Sequence, residues 1–190
     1  MAANLDIGFA LDRRWHHIRG EMERTKKPDL VALARVLDEE EVAYAVIGGV
    51  ALQIYQREPR TTLDIDIAVI DRRGIPERPL SEAGFQKTGS FVHSENWIGP
   101  DETPVQFTDD SALASAVARA DTIQIDGVPL RVIRRPDLLH EKLRAGSDPA
   151  RRRSKRLQDL ADVEALLEQD PLLDAELTDA EREMLARLPK

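Results

Sequence analysis

The chain contains no cysteine, which removes disulfides, thiolate metal sites and thiol nucleophiles together. Any metal it holds must sit on oxygen or imidazole ligands. Aromatic residues make up 4% of the sequence, too few for a row of stacking platforms, so readout of single-stranded bases is disfavoured. No apolar run approaches the roughly 20 residues needed to span a bilayer, and the charged N-terminus lacks the apolar core of a signal peptide. The expectation is a cytoplasmic protein with no membrane partner. Positive charge is short as well: the net charge of -8 argues against a general nucleic-acid binder.

What is present fits one well-buried α/β domain with an appendage: 190 residues, 42% of them hydrophobic and 33% charged. The cations are unevenly placed. Between Arg131 and Arg156 ten Lys and Arg stand against three acids, Asp137, Glu141 and Asp148, a local excess of seven (ten minus three). Such a segment reads as an anion site or as an exposed basic loop.

Residues 1–27 show no clean period and are expected to form an extension, such as a helix packed on the core, with Trp15, His16 and His17 in surface or packing roles. From Pro28 the pattern turns helical, since Leu30, Leu33, Ala34 and Leu37 recur at three and four, and the acidic Glu39 to Glu41 should end this helix. A β-rich run, VAYAVIGG, then closes on Gly48 and Gly49 and leads into a short helix. LDIDIAVI is a second strand; FVHSENWI and PVQFT are further strands joined through GPDE, and TIQIDGVPLRVI should fold as a hairpin about Asp126-Gly127. Helical segments are expected near residues 79–83, 111–120, 136–145 and 154–168, followed by a short acidic tail after Pro171. This divides the chain into an extension (1–27), a core (28–135) and a C-terminal helical segment with its tail (136–190).

The second strand carries a puzzle: Asp64 and Asp66 lie within it, although strands are depleted in Asp and like charges on one face repel. Alternation sends Leu63, Ile65 and Ile67 to one face and, if the strand begins early, Arg60, Thr62, Asp64 and Asp66 to the other. This could be a polar face shown to water. It could also be a site, because carboxylates at i and i+2 converge on a hard divalent cation. Glycines at a strand-to-helix turn let backbone N–H groups approach a phosphate at a helix N-terminus. A triphosphate held at Gly48 and Gly49 would bring its metal to the paired aspartates, the arrangement phosphoryl transfer requires.

The string Gly48-Gly49 followed by Arg60-x-Thr62-x-Asp64-Ile65-Asp66-Ile67 resembles the signature of the nucleotidyltransferase superfamily with the polymerase-beta-like fold, and within it the AbiEii-like toxin group. The resemblance covers roughly residues 29–168. It implies a mixed β-sheet flanked by helices, an NTP substrate, Mg2+ or Mn2+ on Asp64 and Asp66, and a nucleotide held by Gly48, Gly49, Arg60 and Thr62. It also implies an antitoxin protein as partner. One departure matters: where the superfamily supplies a third carboxylate from a later strand, this chain has Gln106. Asp109 or Asp110 could substitute from the strand end, or one metal could suffice.

Two charges sit on apolar helix stripes. Lys142 projects among Leu138, Leu139 and Leu143, and Asp159 lies between Val163 and Leu166, with Asp162 nearer the edge. A core-facing Asp wants a partner, and Lys142 is the obvious one. The resemblance extends to both positions. It implies that Lys142 contacts the nucleotide phosphates and that Asp159 orients it or the acceptor, while Arg151 to Arg153 would guide an anionic acceptor such as RNA or tRNA. Two functions follow: a metal-dependent transfer of a nucleoside monophosphate to a hydroxyl of RNA, protein or a small molecule, or a catalytically silent nucleotide-binding module acting through a protein partner. An unrelated α/β protein with a polar strand face is the third.

Overall fold

The computed structural model describes residues 2–22 and 24–187, and the chain divides into two compact units, Met1–Arg134 and Arg135–Lys190.

The first unit is built on apolar, β-branched runs that alternate with polar residues. Among the described residues its strands are β1 (Tyr44–Ile47), β2 (Ile65–Val69), β3 (Gln86–Ser90), β4 (Ser94–Ile98), β5 (Pro104–Thr108), β6 (Asp121–Ile125) and β7 (Val128–Val132), joined in one sheet of order β3-β4-β5-β2-β1-β7-β6. β1 is buried along its whole length, as a central strand should be. It runs antiparallel to β2 and parallel to β7; β2 in turn runs parallel to β5. The helices are α1 (Ala2–Ile18), α2 (Lys27–Glu39), α3 (Gly48–Tyr55), α4 (Glu77–Glu82) and α5 (Ala114–Ala118). Leu30, Leu33, Ala34 and Leu37 of α2 are all buried, and each leucine so placed contributes about 1.5–3 kcal/mol of transfer free energy.

The mixed sheet flanked by helices is the fold class read from the sequence, and the hairpin at Asp126-Gly127 joins β6 to β7 as expected. The N-terminal extension is a helix whose Leu5 and Phe9 are buried, in keeping with a helix packed on the core. Three local readings are corrected. FVHSENWI is a strand only from Ser94; before it lies β3, whose Gln-Lys-Thr-Gly-Ser sequence forms an exposed edge strand with no apolar alternation to reveal it. β2 starts at Ile65, so Arg60, Thr62 and Asp64 precede it, and Leu63 is exposed rather than in the core. The segment after Pro171 is no tail, for it forms a 3-10 stretch (Pro171–Glu176) and then a helix, closed by the box in which Thr178 and Glu181 cap each other.

The second unit packs α6 (Arg135–Ser147) against α7 (Arg153–Gln169), followed by that last helix, α8 (Asp179–Ala186). No helix among the described residues is long and apolar enough to cross a membrane.

Candidate active site

The antiparallel register of β1 and β2 pairs Ile47 with Asp66, so the turn that follows Ile47 lies beside the start of β2. Gly48 adopts φ +61, and a Cβ placed on it would stand 2.2 Å from Asp66 Oδ2. A Cβ on Gly49 would stand 2.4 Å from Thr62 Oγ1. Left-handed backbone explains one glycine, and close approach of the next segment explains both. The glycine corner and the acid pair are one locus.

Thr62 is buried against Gly49 and donates its hydroxyl to Asp64 Oδ1 at 2.6 Å. Asp64 itself is exposed and Asp66 half-buried. Across the sheet Asp66 pairs with Gln106 of β5, and Gln106 with Asn96 of β4, giving a polar row on one face. The Gln106 amide donates to Asn96 Oδ1 at 3.2 Å. Asp64, Asp66, Asn96, Gln106 and Trp97 line a cavity of about 290 Å3. A larger one, of about 410 Å3, lies against Asp12, Lys26 and Leu63; the smaller holds both acids of the D-x-D pair and is the one whose chemistry fits a site.

Gln106 occupies the position of the expected third acid, and neither proposed substitute reaches it. β2 and β5 are parallel, so Asp109 lies three residues beyond Gln106, about 10 Å along the strand and away from Asp64. Asp109 is held there by Arg72 at 2.9 Å, and Asp110 caps the 3-10 turn that follows. Among the described residues, no group of three or more His, Asp or Glu is placed to hold a metal. Two carboxylates still fit Mg2+ or Mn2+, because such ions take one or two protein carboxylates and complete their shell with phosphates and water.

Arg60 lies in the irregular segment before β2, where Gln53 of α3 donates to its carbonyl oxygen at 2.8 Å. Sequence reading missed Lys26 and Asp12. Lys26 is buried and donates to Asp12 Oδ2 at 2.6 Å and to the Thr62 carbonyl at 2.8 Å. Burial pushes the Asp12 carboxyl above its usual range against the pull of Lys26, and pushes the Lys26 ammonium below its own against the pull of Asp12. No local signal marks this pair. Asn96, also missed, was legible as a polar position of its strand. His16 bonds Glu21 at 2.8 Å, a surface role as expected.

In the second unit Lys142 does pair with Asp159, at 2.8 Å, and also with Asp162 at 3.3 Å. Asp162 is buried rather than at the helix edge, and Arg151 holds the second oxygen of Asp159 at 2.8 Å. Burial opposes the charge on Lys142, but Glu141, Asp159 and Asp162 together outweigh it and keep its pKa above the usual lysine range. Glu141 Oε2 is shut off from solvent with no hydrogen-bond partner, and this burial raises the Glu141 pKa despite Lys142.

Residues 98–189, a little under half of the chain, match the family model of the nucleotidyl transferase AbiEii toxin of type IV toxin-antitoxin systems. No curated protein sequence matches the chain. Similar solved structures include an antigenic nucleotidyltransferase-like protein from Paracoccidioides brasiliensis, at 20% identity and TM-score 0.55 over 83% of this chain and 87% of that one. ANT(2'')-Ia in complex with adenylyl-2''-tobramycin aligns at 18% identity and TM-score 0.51 over 83% of this chain and 98% of that one. JHP933 from Helicobacter pylori aligns at 17% identity and TM-score 0.52, over 85% and 76%. With a D-x-D pair folded against a glycine corner, this chain thus has the fold of these nucleotidyltransferase structures and matches the AbiEii family model over residues 98–189.

Proposed function

We propose that the protein transfers a nucleoside monophosphate from an NTP to an acceptor hydroxyl, in a reaction dependent on Mg2+ or Mn2+. The hydroxyl oxygen bonds the α-phosphorus, the bond to the β-phosphate breaks, and pyrophosphate leaves. Asp64 and Asp66 would hold the cation, which when bound offsets negative charge on the phosphates. Backbone N–H groups at the start of α3, opened by Gly48 and Gly49, would receive a phosphate, with Thr62 holding Asp64 and Arg60 beside them. Gln106 has no basic group, so in this cavity the carboxylates of Asp64 and Asp66 are the ones able to take the hydroxyl proton. By resemblance, Lys142 is assigned to the phosphates and Asp159 to orienting it or the acceptor. The acceptor is RNA, tRNA, a protein or a small molecule; the small-molecule case has a parallel in ANT(2'')-Ia, which was solved in complex with adenylyl-2''-tobramycin. The AbiEii match supports a cytoplasmic toxin with a cognate antitoxin as partner.

One observation carries this reading: the approach of Asp66 to Gly48, so close that a Cβ would stand 2.2 Å from the carboxylate. Gln106 favours a second reading, the silent nucleotide-binding module. Calorimetric titration of NTP with Mg2+ into the wild type and Asp64→Asn tests both. Metal-dependent binding that Asp64→Asn loses is expected, and transfer from labelled NTP to tRNA or lysate separates the enzyme from the silent module. A wild type that binds neither metal nor nucleotide would overturn both.

A further inference from the structure

We propose that Lys26 is a positioning residue for Asp64, and that α1 is thereby a working part of the site rather than an appendage; this rests on the reading of Asp64 as a metal-binding carboxylate.

Asp64 lies one residue before β2, so the sheet ladder, which starts at Ile65, does not fix it. Its carboxylate is held by Thr62, and Thr62 belongs to the irregular stretch 60–64. Two carbonyls of that stretch, two residues apart, are each gripped by a buried side chain. Gln53 donates to the Arg60 oxygen at 2.8 Å and Lys26 to the Thr62 oxygen at 2.8 Å. Both grips depend on α1. Gly8 of α1 lies so near Gln53 that a Cβ there would stand 2.6 Å from its amide, and Asp12 of α1 holds the Lys26 ammonium at 2.6 Å. The chain of contacts Asp12, Lys26, Thr62 carbonyl, Thr62 hydroxyl, Asp64 therefore leads from the N-terminal helix to the carboxylate. Lys26 and Asp12 are 3% and 1% exposed, so the contact is not loosened by water. A buried ion pair is costly to desolvate and is weak as a stabilising device; its location beneath Thr62 gives it a task that two apolar residues would not perform. Partners that orient metal ligands commonly govern metal affinity in this way.

The test compares Mn2+ binding in the presence of NTP, followed by water-proton relaxation, across three variants. In the double variant Asp12→Leu/Lys26→Met no buried charge is orphaned, so the melting temperature should hold while Mn2+ affinity falls about tenfold to a hundredfold, the usual range for such supporting residues. Lys26→Gln keeps a donor but is too short to span both acceptors; it should lose affinity likewise and serves if the double variant fails to fold. Leu5→Ala weakens the packing of α1 without touching Lys26, so it should lower the melting temperature and leave Mn2+ affinity in place. A crystal structure of the ligand-free double variant should show Thr62 Oγ1 displaced from Asp64 Oδ1. Wild-type affinity in the double variant, or an equal loss in Leu5→Ala, would overturn the role of Lys26 and leave the site reading standing. A wild type that binds no Mn2+ would instead sink the site reading, and this role with it.

Discussion

The two units handle carboxylates in opposite ways. In the second, Asp159 and Asp162 are buried and neutralised by the protein's own cations, Lys142 and Arg151, at 2.8 to 3.3 Å. In the first, Asp64 is exposed at a cavity and its hydrogen bond comes from the neutral hydroxyl of Thr62. A carboxylate satisfied internally is part of the structure it stabilises, whereas one held in place by a neutral donor keeps its charge available to a ligand. The lysine beneath the first unit's site follows the same logic: Lys26 turns one donor to Asp12 and another to the Thr62 carbonyl, and Asp64 feels its charge only more weakly than Asp12 does.

The contrast can be broken most sharply at Asp64 and Asp66. Asp64→Asn and Asp66→Asn should each lower transfer of labelled nucleotide by about a thousandfold, since removing metal-based charge stabilisation costs several kcal/mol, with melting temperatures unchanged. Lys142→Met should lower stability as well as transfer: it leaves Asp159 and Asp162 short of their shared buried cation, and about 3–5 kcal/mol should be lost in chemical denaturation. Gly48→Ala sets a left-handed residue and a Cβ against Asp66; about 1–3 kcal/mol of strain is expected, together with loss of Mn2+ binding in calorimetry.

The smallest effect belongs to Glu141→Gln, which should stabilise the protein by about 1 kcal/mol at neutral pH, because a half-buried carboxylate whose Oε2 is shut off from solvent without a hydrogen-bond partner loses its charge. Burial raises the Glu141 pKa in the folded protein. The penalty is therefore full only above that raised value, and melting curves of the two proteins should converge as pH falls through it toward the ordinary pKa of 4.5.

Much of the site was legible along the chain because its signals are local. The D-x-D pair, the two glycines and the neutral Gln106 fall within short stretches whose alternation predicts their facing, and the register of β2 with β5 aligns Gln106 with Asp66 as that alternation implies. The helical period likewise announced Lys142 and Asp159 as core-facing and partners for one another. Asp109 and Asp110 misled because proximity in sequence to β5 says nothing of strand direction; parallel pairing carries them away from Asp64. β3 escaped because an exposed edge strand has no buried face to impose a pattern.

By itself, then, the sequence determined which secondary elements carry the glycine corner, the D-x-D pair and the facing Lys142 and Asp159, since periodicity and turn residues act over a few neighbours. Only the tertiary structure decided that Thr62 presses on Gly49, that Asp66 closes over Gly48, and that a lysine at position 26 reaches across 36 residues to hold the Thr62 carbonyl. Such contacts join segments that no local period relates, and they exist only once the sheet has set its register and α1 has packed against α3.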